Sequence, residues 1–187
     1  MFPRYLSSHV AFVLLIAAIW ACGSSTTTNT SDTDKANKLV DEGNAAVTDA
    51  KKFVSDAEAK KDQMMRTDIR RIAEARVRAA EAIAAYDKAA EKCKAAAAKY
   101  DEASRLQISD KFKQYLILKS KEFNKRAEVA ETAKGTPQAL IESTNRSSFA
   151  IRANSNNTKV DQLSKEAQDI GEQADKIQKD NPDMFKK

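Results

Sequence analysis

The chain has 187 residues, with 32 Lys and Arg against 27 Asp and Glu and a formal net charge of +5. With 4 Gly, 3 Pro and 6% aromatic residues, it lacks the turn and strand formers of an all-β fold. A charged fraction of 32% is instead typical of long amphipathic or coiled helices, and a mild positive excess mixed with acids points to a soluble surface rather than to nucleic acid.

In chain order, Arg4 supplies a positive start and Val10 to Ala21 is an unbroken apolar run of 12 residues. That length suits the core of a signal peptide and falls short of the roughly 20 residues a membrane-spanning helix needs. The run ends in Ile19, Trp20, Ala21 and Cys22, and downstream no large apolar side chain occurs until Leu39. Ile19-Trp20-Ala21-Cys22 resembles the cleavage motif of bacterial lipoproteins, with Trp20 standing where that family usually carries a smaller residue. The resemblance covers residues 1 to about 33. It implies removal of residues 1–21, a diacylglyceryl group on the Cys22 sulfur and attachment to a membrane of the cell envelope through acyl chains. In a Gram-negative host, Gly23 after the cysteine implies the periplasmic side of the outer membrane. Two other readings of the same residues are an ordinary secretory signal cut after Gly23 and a retained membrane helix. Residues 22–33, rich in Ser and Thr, read as a flexible tether, because they carry too little apolar surface to fold.

From residue 34 the apolar positions recur in steps of three and four, which predicts an all-α, elongated antiparallel bundle over 34–181 with coiled-coil-like seams. Four helices are expected, near 34–64, 67–107, 109–133 and 137–180. The first carries its apolar face on Ala36, Leu39/Val40, Gly43, Ala46/Val47, Ala50, Phe53/Val54 and Ala57. The second carries a heptad seam of Ile69, Ile72, Arg76, Ala79, Ile83, Tyr86, Ala90, Cys93, Ala97 and Tyr100. The third buries Phe112, Tyr115, Leu116, Phe123, Ala127 and Ala130. Lys134 to Gln138 combines a Gly and a Pro and marks a break, and a further kink or short break is expected within the polar stretches Asn145 to Phe149 and Arg152 to Lys159. The fourth helix shows Val160, Leu163, Ala167, Ile170, Ala174 and Ile177, then ends at Pro182, leaving 182–187 as a tail.

Little catalytic chemistry is legible. The only His is His9, so a chain that begins at Cys22 has no histidine to act as base for a Ser or Cys nucleophile. No Cys/His cluster of zinc type and no Gly-rich phosphate loop occurs, Met64 and Met65 read as core filler, and no metal or other cofactor is expected. Cys93, on the seam among alanines, reads as a small buried hydrophobe. The expected role is therefore a non-enzymatic structural or protein-interaction module, with an envelope protein as partner and self-association through the seams open. A second reading is a bundle that binds a small apolar ligand. Arg66, Arg70, Arg71 and Arg78 gather at the first helix junction; they read as a solvated face, with contact to a phosphate-rich surface as the alternative. Lys187 ends the chain after Phe185 and Lys186, which resembles the terminus of the major murein lipoprotein of enteric bacteria. That resemblance implies a third reading, a spacer linked to peptidoglycan through Lys187.

Overall fold

The computed structural model describes residues 30–185. Five helices follow one another: α1 (Thr30–Arg66), α2 (Ile72–Ser104), α3 (Asp110–Ala133), α4 (Gly135–Glu142) and α5 (Arg146–Asp180). Short 3-10 turns at Ile69–Arg71 and Pro182–Phe185 complete the described chain. The long helices run up and down as an antiparallel bundle in which α1 packs on α2, α2 on α3, and α3 on α5. At 1.5 Å per residue α2 is about 50 Å long, so the body is elongated.

Each long helix exists because one stripe of it can be buried. In α1 the buried residues are Ala36, Val40, Val47, Ala50, Ala57 and Met64; in α3 they include Phe112, Tyr115, Leu116, Phe123, Ala127 and Ala130. These follow the stripes expected from the sequence, except that Leu39, Ala46, Phe53 and Val54 of α1 are only half-buried. Helix α2 buries more than its expected seam. Ala75, Ala82, Ala85, Ala89, Ala96 and Ala103 are buried beside Ala79, Tyr86, Ala90, Cys93, Ala97 and Tyr100. A seam serves one neighbour, whereas α2 is flanked by α1 on one side and α3 on the other, and alanine lets both approach closely. At the start of the seam Ile72 is 41% exposed, against expectation, because the face covered here is that of Ala75 and Ala79, while Arg76 is exposed, as an arginine with its head in water would be.

The breaks are set by local chemistry. Helix α1 ends at Arg66, and Asp68 opens the following 3-10 turn, its Oδ1 accepting a 2.8 Å hydrogen bond from the Arg70 backbone N–H. Ser109 caps α3, and Asn145 caps α5 by accepting from the Ser148 N–H at 2.9 Å. The fourth expected helix is therefore two, separated at 143–145, while the stretch from Arg152 to Lys159 stays helical. Its asparagines are satisfied from outside the helix: Thr136 Oγ1 donates to Asn157 at 3.0 Å and accepts from Asn156 Nδ2 at 3.1 Å. Gly135 permits this approach, since a Cβ there would fall 2.2 Å from Asn156 Oδ1. The break expected around Lys134 is only a single turn residue between α3 and α4, and Pro137 sits in the first turn of α4, where its missing N–H costs nothing.

Both ends of the described chain depart from expectation. The first helix starts at Thr30 rather than Asp34, with Asp32 in its first turn accepting from the Gln107 backbone N–H at 3.1 Å. Residues 182–185 are part of the body rather than a tail. Phe185 is buried, its ring 5.7 Å from Phe112 and 4.8 Å from Tyr115, both edge-on. One end of the bundle thus gathers the start of α1, the α2–α3 turn and Phe185. The opposite end gathers the end of α1, the start of α2 and α4, where Met64, Ala75 and Ala79 pack with Leu140.

Candidate functional site

The most unusual chemistry among the described residues lies inside the bundle, on α3. Lys119, Glu122 and Arg126 follow one another at spacings of three and four, so they share a face of the helix. Glu122 is 2% exposed. Its two carboxylate oxygens accept from Lys119 Nζ at 2.6 Å and from Arg126 Nε at 2.7 Å. Both cations also lie over the Phe123 ring, 5.2 Å and 5.9 Å from its centroid. Phe123 in turn stacks on Tyr100 of α2 at 5.6 Å. Opposite the carboxylate stands Gly171 of α5; a Cβ at that position would lie 3.0 Å from the Glu122 carboxyl carbon. The small residue on α5 is what lets a carboxylate fit between the helices.

The surrounding groups register this charge. Lys51 on α1 has its pKa pushed below the ordinary lysine value, first by burial and then by repulsion from Arg126 and Lys119. Burial pushes the Cys93 thiol up to about 11, with Arg126 opposing and Glu122 reinforcing the shift. The Tyr100 and Tyr115 hydroxyls are raised mainly by burial, which keeps them protonated. Cys93 is therefore a neutral, buried thiol at physiological pH, which is the packing role expected for it and a poor setting for a nucleophile. The cluster is an ion-paired triad within α3 whose carboxylate lies against Gly171 of α5.

The sequence showed no sign of this cluster, since Lys119, Glu122 and Arg126 look like the solvated side of an amphipathic helix. The signal available was Gly171, a glycine in the middle of an otherwise strong helical stretch.

Of the residues singled out in the sequence, Ile19, Trp20, Ala21, Cys22 and Lys187 lie outside the described residues. Arg66, Arg70, Arg71 and Arg78 do come together, at the end of the bundle opposite the start of α1. Three of them face carboxylates: Arg66 and Asp62 at 3.9 Å, Arg71 and Glu74, and Arg78 and Glu81 at 2.8 Å. Glu81 also receives Lys60 at 3.4 Å, and the hydrogen bond from Arg78 holds its carboxyl below the usual range. Arg70 is exposed and makes no ion pair among the described residues.

Shallow surface depressions among the described residues include one of about 510 Å³ between α2, α3 and α5 and one of about 450 Å³ along the end of α5. The first has a mixed wall, with Lys94, Glu128, Glu131 and Lys159 beside Ala127 and Leu163. Among the described residues no group of three His, Cys, Asp or Glu side chains could hold a metal ion, and no helix is long and apolar enough to cross a membrane. No protein-family model, no curated protein and no solved structure matches the chain.

Proposed function

We infer that the protein is a lipid-anchored helical module of a bacterial cell envelope, held by acyl chains on Cys22 and acting through contacts rather than catalysis. The observation that carries this reading is the change of character at Cys22. Twelve consecutive apolar residues end there, and polar residues alone lead on to the helical body. Acyl chains on one cysteine add about 0.8 kcal/mol per buried methylene, so two or three chains on it form a firm anchor.

The fold is compatible with that arrangement. The helical body starts at Thr30, leaving residues 23–29 between the lipid and the bundle. Seven residues of chain reach at most roughly 25 Å, so acyl chains on Cys22 would keep the near end of the bundle within that distance of the headgroups. The contact-making role draws support from the body itself, whose alanine seams are filled by neighbouring helices and whose one cysteine among the described residues is buried and protonated.

Intact mass of the protein from membrane extracts tests the reading, with Cys22→Ser in parallel. A chain beginning at Cys22 with added acyl mass, lost in the variant, is the expected result. An unmodified chain beginning at Ser24 would overturn it and make the protein a secreted bundle.

A further inference from the structure

The two ends of the bundle differ in charge and in exposed apolar surface. At the end where α1 stops and α2 begins, residues 60–78 and 134–152 hold ten Lys and Arg against four Asp and Glu. Lys60, Lys61, Arg78 and Lys134 pair with Glu81, Glu58, Asp87 and Glu131 just beyond those stretches, which leaves a smaller positive excess carried by Arg70 and Arg76. At the opposite end, residues 30–42, 99–113 and 172–185 hold eight Lys and Arg against eleven Asp and Glu. Six large hydrophobic side chains are exposed in the described chain, and five of them lie on the helix ends at the basic end without packing on one another: Met65, Ile72, Val77, Ile141 and Ile151, the last 72% exposed. The helix ends that carry them are held together there by Leu140 packing on Met64, Ala75 and Ala79 and by the Arg152–Glu142 ion pair. Between the aliphatic side chains stand the exposed Arg70 and Arg76, neither ion-paired among the described residues.

We propose that this basic, aliphatic-studded end is a docking surface for an anionic phospholipid bilayer. The charge asymmetry orients the molecule, because an anionic surface attracts one end and repels the other. Guanidinium groups then meet phosphates while isolated aliphatic side chains enter the headgroup region one at a time. A fluid surface suits this pattern better than a folded protein does. A stable protein interface needs roughly 800 Å² of complementary surface on each side, whereas these side chains project singly from the ends of α1, α2, α4 and α5. The basic end lies a full α1 length, about 55 Å, from Thr30, so the bilayer it meets is a second surface and not the one that acyl chains on Cys22 would enter, and the proposal does not rest on that acylation.

The test is sedimentation of the unlipidated chain with vesicles of phosphatidylglycerol and phosphatidylcholine, against vesicles of phosphatidylcholine alone. A chain begun at Ser24 is suitable, since every buried residue of the described chain lies between Ala36 and Phe185 and the whole core is kept. The expected result is binding to the anionic vesicles only, reversed by salt as charges are screened. R70Q/R76Q should weaken it about 30-fold, at the usual contribution of a basic residue near an anionic surface. V77S/I151S should weaken it roughly tenfold through lost apolar burial. All four positions are exposed, so thermal unfolding should be unchanged. Equal binding to both vesicle types would overturn the proposal, as would anionic binding that neither pair of substitutions reduces. No binding at all would also overturn it and would leave this end as a surface for an acidic protein.

Discussion

Replacing Glu122 with leucine should destabilise the bundle by about 3–4 kcal/mol, and the reason lies in what stays behind. Lys119 and Arg126 would each lose a charge-assisted hydrogen bond, at 2.6 and 2.7 Å, while their side chains remain only 12% and 19% exposed. Such bonds contribute about 1.5–3 kcal/mol each, and the Phe123 ring beneath both cations returns part of the loss. The net figure agrees with the range of about 3–5 kcal/mol for removing one partner of a buried pair. For a chain of this size it lowers the melting temperature by roughly 10 °C. Urea unfolding followed by far-ultraviolet circular dichroism measures it directly. The decisive comparison is K119M/E122L/R126M, in which no charge is stranded. That variant should return to within about 1 kcal/mol of wild type or exceed it, as apolar replacement of buried ion pairs often does. If the single variant unfolds within about 1 kcal/mol of wild type, or the triple variant is no better than the single one, the buried-charge argument is wrong.

Gly171→Ala should destabilise the wild-type chain, because its Cβ would meet the Glu122 carboxyl carbon at 3.0 Å. On a Glu122→Ala background the same change should instead stabilise by up to about 1 kcal/mol through helix propensity, and a double-mutant cycle by urea unfolding reads the difference. Lys51→Met should raise stability at neutral pH, since burial and the neighbouring cations lower the pKa of Lys51 in the folded chain. The unfolded chain then binds the proton more tightly, so wild-type stability rises with pH up to the unfolded value and the gap between the two proteins narrows; urea titrations at neutral and alkaline pH should show it. Cys93, buried and with its thiol pushed up to about 11, should resist a disulfide-forming thiol reagent at mildly alkaline pH until the protein is unfolded, which absorbance of the released product would follow. Phe185→Ala should cost about 3 kcal/mol by removing a ring packed on Phe112 and Tyr115, measured by thermal unfolding.

Most of the architecture could be read from spacing alone, because α1, α3 and α5 each bury one stripe and a stripe leaves a clear three-and-four rhythm. Helix α2 was less legible. Its second stripe consists of alanines, which occur on exposed helix faces as readily as buried ones, and only the presence of α3 on its far side makes them core. Ile72 shows the converse, an apolar residue in perfect register that no neighbour covers. Asn156 and Asn157 suggested a kink, since asparagine competes for backbone hydrogen bonds within its own helix. Their actual partner, Thr136, is distant in sequence. Glu122 was hidden for the same reason: burial of a charge depends on its two cationic neighbours and on a glycine 49 residues away, and no local pattern encodes that pairing. Phe185 sits beyond a helix-ending Pro182 and has no periodic partner, so only Phe112 and Tyr115 across the end of the bundle reveal it as core. As for the anchor, Cys22 is legible only as a sequence boundary.

The placement of the ends has a mechanical consequence. Any pull transmitted from upstream of Thr30 enters at the end of the bundle that also holds the α2–α3 turn. If the opposite end is held, the load runs lengthwise along α1 and must slide it against α2. Sliding strains the whole alanine seam at once, together with the cross-helix ion pairs of Lys99 with Glu42 and Lys60 with Glu81. A pull between Thr30 and Phe185, which lie at the same end of the described bundle, would instead peel helices away one turn at a time and meet far less resistance.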